Sequence, residues 1–218
     1  LSIFIFVFLF FNNEYLISQI LLSFHETKIE VGRYSIFLTT LCFLLFVQAF
    51  NMLDGINLQA GLYALFLFIF SVFISNNIFI FVTVPIVFFL FLNYKNRIFL
   101  GDSGTYLLSF LIGCIYIKMF NYNFLYTDEI FLIMSIPGYD MLRLFLSRLY
   151  KKKNPFIGDR NHIHHLFLEK FSEFNSIVFS ILVIFSPIFL MKILNNNIVV
   201  LFITLFIYIL IIFLLKKK

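Results

Sequence analysis

The sequence has few charged residues: only 12% of its 218 residues are Asp, Glu, Lys or Arg, whereas 62% are hydrophobic and 35 are Phe. A soluble domain of this length still exposes a large fraction of its surface, so a single core cannot hide this many apolar side chains. The scarcity of charge excludes a soluble globular protein and predicts an integral membrane protein, in agreement with a mean hydropathy of +1.02.

Cysteine is equally scarce. The two cysteines, Cys42 and Cys114, both lie inside apolar stretches, which argues against a disulfide or a zinc site built on thiolates. We interpret them as small packing residues. The net charge of +5 does not indicate a nucleic-acid partner, because the basic residues lie in short stretches between apolar runs instead of along one amphipathic face.

Apolar runs long enough to cross, or nearly cross, a hydrocarbon layer of ~30 Å recur along the chain. They are continuously apolar, without the alternation of a porin strand, so helices are favoured over a barrel. The sequence predicts an all-α fold, a polytopic transmembrane helix bundle that forms a single domain over residues 1–218. About eight spans are expected, at 1–23, 34–50, 60–75, 77–93, 104–121, 129–148, 175–194 and 196–215.

The basic residues indicate the orientation of these spans. With the C-terminal lysines in the cytoplasm, a count of eight spans also places loop 149–174 and the pair Lys95 and Arg97 there, as the positive-inside rule requires. The same count brings three polar stretches to the cytoplasmic face, namely 51–57, 95–105 and 154–165. A site at the cytoplasmic surface is therefore expected.

The first polar stretch contains Asn51, Asp54 and Asn57, whose spacing of three residues favours one face of a helix end. An ionisable Asp at the edge of a span indicates function, because burying it unpaired is costly. The alternative is a helix terminus that Asp54 simply caps.

The second stretch places glycines on both sides of Asp102 and Ser103, directly before an apolar helix. Backbone N–H groups at such a helix start suit an anion, while Asp102 suits a cation. The stretch is not a Walker A loop, which requires Gly-Lys-Ser/Thr after four intervening residues. A plain N-cap is the alternative.

The third stretch, 154–165, holds Arg160 and three of the four histidines, His162, His164 and His165. A zinc site is disfavoured, because the loop offers two or three ligands without a nearby Cys and Arg160 would repel a dication. Arginine and imidazole N–H donors suit a phosphate instead. A solvated loop without function is the alternative.

Taken together, the three stretches offer carboxylates for a hard divalent cation and donors for phosphate groups. Mg²⁺ is the natural choice, because proteins usually bind it through one or two carboxylates and substrate phosphate oxygens. A phosphate-bearing substrate is therefore expected. Within the span that precedes the histidines, we interpret Asp140 and Arg143 as a structural ion pair and not as catalytic residues.

These stretches, in this order, resemble the motifs of the MraY/WecA-like polyprenyl-phosphate N-acetylhexosaminyl-1-phosphate transferases, glycosyltransferase family 4. "NMLDGINLQAG" is similar to Asn-x-x-Asp-Gly-x-Asp-Gly-Leu-Ala, "FLGDSGTYLL" to Phe-x-Gly-Asp-x-Gly-Ser, and "NPFIGDRNHIHHLF" to Pro-Phe-x-x-Asp-Arg-x-His-x-His-His. "IPGYDMLRLFLSRL" resembles the span before that loop. Order and spacing agree over residues 35–170.

The resemblance implies a multi-pass enzyme of the bacterial inner membrane with its active site on the cytoplasmic face. Such an enzyme transfers a sugar 1-phosphate from a UDP-N-acetylhexosamine to a polyprenyl phosphate, such as undecaprenyl phosphate, and releases UMP. It implies Mg²⁺, or Mn²⁺ in its place, as cofactor. The expected role is the first step of lipid-linked surface polysaccharide or O-antigen synthesis, and a homodimer is one expected assembly.

The resemblance also assigns roles to individual residues. It implies that Asp54, Asp102 and His162 are catalytic and that the two aspartates hold the metal ion. Phe99 would stack on uracil, and Asn51 and Asn57 would belong to the substrate pocket together with Asp54. The pyrophosphate or the sugar would be contacted by Arg160, His162, His164 and His165.

Two departures from the family pattern stand out. Asn57 replaces the second Asp of the first motif, and Leu58-Gln59-Ala60 stands where the family has Gly-Leu-Ala. The amide of Asn57 keeps a hydrogen-bonding shape without the charge. The family also carries an adjacent Asp-Asp pair upstream, which this sequence lacks. We expect that pair in sequence before Leu1, which would make the chain an N-terminally truncated copy of the family domain.

Three alternatives stay open at this point. The peptidoglycan enzyme that transfers phospho-MurNAc-pentapeptide is disfavoured, because that branch tends to have three contiguous histidines. A transporter would carry its charges near mid-membrane, whereas most of these lie at one face. An inactive remnant would agree with Asn57 and the absent Asp-Asp pair.

Overall fold

The computed structural model describes residues 1–75, 80–154 and 161–217. Within these ranges the chain forms mostly helices, with one antiparallel hairpin of strands β1 (Gln19–Leu22) and β2 (His25–Glu30). The helices are α1 (Ser2–Phe11), α2 (Ser35–Asn51), α3 (Gln59–Ser75), α4 (Ile80–Tyr94), α5 (Gly101–Asn121), α6 (Thr127–Ile133), α7 (Ser135–Tyr150), α8 (Ile163–Leu168), α9 (Glu173–Leu194) and α10 (Asn197–Lys216). The predicted helical membrane protein is confirmed, although the hairpin shows that it is not purely α.

The count of eight spans is not confirmed. In the part of the chain that the structure describes, four helices are long and apolar enough to cross a membrane: Gly32–Asn51, Gly101–Asn121, Glu173–Leu194 and Asn197–Lys216. A fifth span results if α6 and α7, which are bent by 70° relative to each other, are counted as one. Helices α1, α3 and α4 are apolar but shorter.

The predicted span 1–23 is wrong. Helix α1 ends at Phe11, where the polar residues Asn12, Asn13 and Glu14 follow. The apolar residues after them belong to the hairpin, in which Ile20 pairs with Ile29. The polar residues 12–14 interrupt the apolar run and end the helix.

The predicted span 129–148 is divided at Met134, between α6 and α7. Pro137 explains the break, because proline lacks the N–H that would bond to the carbonyl of Ile133 and its ring clashes with that carbonyl in a continuous helix. The Ile133 carbonyl instead accepts a hydrogen bond from the hydroxyl of Tyr63 at 3.0 Å. The bend is thus fixed to α3 by a fully buried tyrosine.

A cluster of polar side chains fastens the hairpin to the helices at one end of the bundle. The carboxylate of Asp128, which is 8% exposed, accepts hydrogen bonds from the Ser23 N–H at 2.8 Å and from Asn197 Nδ2 at 2.6 Å. Asn197 Nδ2 also donates to Ser23 Oγ at 3.0 Å. Asp128 therefore joins the hairpin, α6 and α10 through one carboxylate.

We expect the substitution Asp128→Asn to lower the free energy of unfolding by about 1–3 kcal/mol, because an amide nitrogen would face donors that now meet an oxygen. Thermal unfolding in detergent measures the change. Glu30→Gln, at an exposed position of β2, is the control and should leave the midpoint unchanged. Equal midpoints for both variants would contradict the fastening role of Asp128.

Candidate functional site

Two of the predicted polar stretches meet at the opposite end of the bundle, where α2 and α4 end and α3 and α5 begin. We call residues 51–57 and 95–105 the first and second aspartate segments. Asn51 Nδ2 donates to Asp102 Oδ1 at 3.0 Å and to Thr105 Oγ1 at 2.8 Å. In the other direction, the Gly101 N–H donates to Asp54 Oδ2 at 3.0 Å. Each segment thus supports the carboxylate of the other.

Local backbone geometry makes this contact possible. Gly101 has φ +60°, a left-handed conformation that glycine adopts without a steric penalty, and it starts α5. Its N–H is one of the unpaired donors of a helix N-terminus, so Asp54 satisfies it. Asp102 lies in the first turn of the same helix, where a negative charge is favourable.

Asn93, near the C-terminal end of α4, ties the two segments together. It is 4% exposed, its Oδ1 accepts the Leu58 N–H at 2.7 Å, and its Nδ2 donates to the Ile98 carbonyl at 2.8 Å. Asn57 Nδ2 donates to Asn96 Oδ1 nearby. The sequence analysis missed Asn93, although an amide near the end of an otherwise apolar span was a signal for it.

The carboxyl group of Asp54 has a pKa raised to about 6. Partial burial is the largest cause, the negative charge of Asp102 adds to it, and the hydrogen bond from Gly101 opposes it. Two carboxylates held this close favour a ligand that brings positive charge. Among the described residues, no group of three or more His, Cys, Asp or Glu side chains is placed to hold a metal ion. A pair of carboxylates suits Mg²⁺, which completes its shell with water and phosphate oxygens.

The histidines lie at the start of α8, and this helix packs against the first aspartate segment. The rings of His162 and His164 are parallel, with centroids 5.5 Å apart, and the ring of His165 lies 4.3 Å from that of His164. A Cβ placed on Gly55 would overlap the His164 ring and lie 2.7 Å from its Cε1. His164 therefore packs directly against the backbone of the residue after Asp54.

His164 is 1% exposed, and its pKa is lowered to about 3. Burial is the largest cause, followed by the neighbouring His165 and His162. It is therefore neutral at physiological pH, with one donor and one acceptor nitrogen. Neither nitrogen has a hydrogen-bond partner within the described ranges.

Asp140 belongs to the site as well. The predicted ion pair with Arg143 is confirmed, with Nη2 at 2.7 Å from Oδ1. In addition, His162 Nδ1 lies 2.8 Å from Asp140 Oδ2, and the Tyr208 hydroxyl donates to Oδ1 at 2.8 Å. The sequence analysis did not connect Asp140 with the histidines, and it missed Tyr208, which resembles many other residues of an apolar helix.

Two of the predicted site residues, Phe99 and Arg160, are not connected to these contacts among the described residues. The ring of Phe99 is 71% exposed in the second aspartate segment. Arg160, with the rest of 155–160, lies outside the described residues. The substrate roles assigned to both stay predictions.

Comparison with known proteins decides the family. The model of glycosyl transferase family 4 matches residues 1–120. The chain belongs to this family.

Several bacterial proteins are similar to the chain, and each is named undecaprenyl-phosphate alpha-N-acetylglucosaminyl 1-phosphate transferase. The Thermotoga maritima protein is 33% identical over 66% of this chain and 46% of its own length. The Escherichia coli O157:H7 protein is 28% identical over 74% and 48%, and the Yersinia pestis protein 25% identical over 67% and 44%. The chain spans about half the length of these relatives.

The departures from the family motif have structural consequences. Leu58 adopts φ +67°, a left-handed conformation that costs a branched side chain roughly 1 kcal/mol or more and that the glycine of the family motif adopts freely. Gln59 stands where the motif has Leu. It is fully buried, and neither of its amide atoms has a hydrogen-bond partner in the described part of the chain.

We expect Gln59→Leu to raise the free energy of unfolding by about 1–3 kcal/mol, because it removes a buried amide without partners and nearly preserves its shape. Gln59→Glu should act in the opposite direction, since it buries a charge at the same position. Thermal unfolding of both variants in detergent checks the pair. A destabilised leucine variant would mean that the amide has a partner that the contacts do not reveal.

A second expected outcome concerns Gly55. The substitution Gly55→Ala should displace the His164 ring and lower the midpoint of thermal unfolding by several degrees, about 1–3 kcal/mol for an overpacked contact. Gly138→Ala in α7 is the matched control, because a Cβ at that position meets nothing within 4 Å. If both variants unfold at the same temperature, His164 does not pack against Gly55.

Proposed function

We propose that this chain carries the site at which N-acetylglucosamine 1-phosphate moves from UDP-N-acetylglucosamine to undecaprenyl phosphate, with Mg²⁺ as cofactor. The names of the similar bacterial proteins support this substrate pair. The basic loops support a location at the cytoplasmic face of the bacterial inner membrane, under the positive-inside rule.

The contact between Gly55 and His164 is the observation that carries this proposal. It supports a single site for the pair Asp54 and Asp102 and the histidine cluster, although Asp102 precedes His162 by 60 residues and Gly55 precedes His164 by 109. Carboxylates and imidazole N–H donors side by side suit a ligand that carries both a metal ion and phosphate oxygens.

In the proposed reaction, an oxygen of the lipid phosphate forms a bond to the phosphorus attached to the sugar. The bond from that phosphorus to the bridging oxygen breaks, and UMP leaves with the electron pair. In phosphoryl transfer, the protein chiefly aligns these groups and stabilises the charge that develops on their oxygens. A bound Mg²⁺ would supply positive charge to the diphosphate.

Each residue has a specific task in this proposal. Asp54 and Asp102 hold the metal ion, and the hydrogen bonds from Gly101 and Asn51 fix the direction of their oxygens. His162 faces the phosphates, while His164 packs against the backbone of Gly55, beside Asp54. The proposal keeps the roles that the family resemblance implies: uracil stacking for Phe99, and diphosphate or sugar contacts for Arg160 and His165.

The test follows UMP release in membranes that contain the full-length gene product, undecaprenyl phosphate, UDP-N-acetylglucosamine and Mg²⁺. We expect release that EDTA abolishes and that Asp102→Asn and His162→Ala each reduce roughly 10²-fold or more, as for loss of a charge-stabilising or acid–base group.

The matched control is Asp128→Asn, because it removes a buried carboxylate at the opposite end of the bundle. It should keep the activity of the folded enzyme. Absence of release with every UDP-sugar tried, from a protein shown to be folded, would favour an inactive protein or a transporter. Full activity in both site variants would reject the assigned residues.

A further inference from the structure

A buried polar network connects the histidines with the interior of the bundle. Asp140 is 5% exposed, and its two oxygens accept hydrogen bonds from Arg143, Tyr208, His162 and the Ile163 N–H. The last two distances are 2.8 Å to His162 Nδ1 and 3.3 Å to the Ile163 nitrogen. One carboxylate thus holds the start of the histidine helix α8 against α7 and α10.

Asp140, Tyr208 and His162 lie inside the bundle, with 5%, 3% and 8% of their surfaces exposed, whereas Asn161, whose carbonyl Arg143 also contacts, is exposed. Asp140 is ten residues from the end of α7 at Tyr150, and Tyr208 is eight residues from the end of α10 at Lys216. With a rise of 1.5 Å per residue, these intervals correspond to about 15 Å and about 12 Å along the helices. His162 therefore reaches well below the helix ends, where unpaired polar groups are expensive.

Charge balance alone does not explain the contact with His162. The guanidinium of Arg143 already neutralises Asp140, at 2.7 Å, and Arg143 is itself held by the Tyr208 hydroxyl at 2.7 Å from its Nε. Arg143 Nη2 also donates to the Asn161 carbonyl at 2.6 Å. Asp140 is thus hydrogen-bonded even without the imidazole, whereas Nδ1 of His162 is held at 2.8 Å by Asp140.

We propose that Asp140 and Tyr208 are positioning residues for His162. The ionised carboxylate can only accept at Oδ2, so Nδ1 of His162 carries a proton and donates it to Asp140, which leaves Nε2 as the ring nitrogen directed away from the aspartate. Tyr208 holds the other carboxylate oxygen and prevents its rotation. The ring of His162 lies parallel to that of His164, which packs on Gly55, so the network is adjacent to the first aspartate segment. The role rests on the proposed function, in which His162 faces the phosphates.

Nitrogen-15 NMR of histidine-labelled protein reads the tautomer directly. His162→Gln identifies the signal of His162, which in the wild type should show a protonated Nδ1. In Asp140→Asn the signal should shift toward the Nε2-protonated form, because an amide can donate to Nδ1. Asp128→Asn is the matched control and should not alter it. A wild-type His162 with its proton on Nε2 would overturn the proposal.

Kinetics provide the second readout. Asp140→Asn should lower kcat for UMP release on the order of 10-fold or more, with KM for UDP-N-acetylglucosamine changed much less, as for partners that orient a functional histidine. Tyr208→Phe removes a single hydroxyl, so it keeps the fold testable if the aspartate variant unfolds. It should lower kcat by a smaller factor in the same direction.

The two proposals fail in distinguishable ways. If the wild type releases no UMP but His162 carries its proton on Nδ1, the reaction is wrong and the positioning geometry holds. If the wild type is active while Asp140→Asn and Tyr208→Phe, both folded, retain its kcat, the network is structural and the positioning role is overturned.

Discussion

The site depends on the crossed hydrogen bonds between the two aspartate segments. Asn51 reaches from the end of α2 to Asp102, and the backbone of Gly101 reaches back to Asp54. Neither loop alone would hold a carboxylate in a fixed direction, because loops at a helix end have few intrinsic constraints. Asn93 joins the loops a second time from α4. The directions of the two carboxylates are therefore set by these hydrogen bonds between the ends of α2 and α4 and the start of α5.

Asn57, which replaces a carboxylate of the family motif, lowers the negative charge near Asp54 and Asp102. Asp54 and Asp102 already repel each other, and that repulsion contributes to the raised pKa of Asp54. A third negative charge in the first aspartate segment would increase the repulsion. The amide of Asn57 instead donates to Asn96, which joins the segments with a neutral contact. The exchange thus reduces the charge of the site while it adds a connection between its halves.

The sequence predicted what depends on composition and on local spacing. The apolar runs predicted most of the long helices, and the ion pair of Asp140 with Arg143 followed from a spacing of three residues. The bend at Met134 could have been inferred from Pro137. The hairpin could have been inferred only by giving the polar residues that begin at Asn12 more weight than the apolar run around them. The sequence pattern did not predict the contacts between residues that are distant in sequence. Nothing local identifies Tyr208 as a partner of Asp140, or Asn93 as a clamp, because both depend on which helices pack together.

The distance in sequence between Asp140 and Tyr208 has a consequence for biosynthesis. A chain emerges from the ribosome with its N-terminal part first, so the two aspartate segments are available early. Tyr208 follows Asp140 by 68 positions and belongs to the last helix that the structure describes. During synthesis, Asp140 and Arg143 precede their partners His162 and Tyr208, which follow with α8 and α10. The order of synthesis therefore allows the two aspartate segments to form their hydrogen bonds before α10, which carries Tyr208, is available to Asp140.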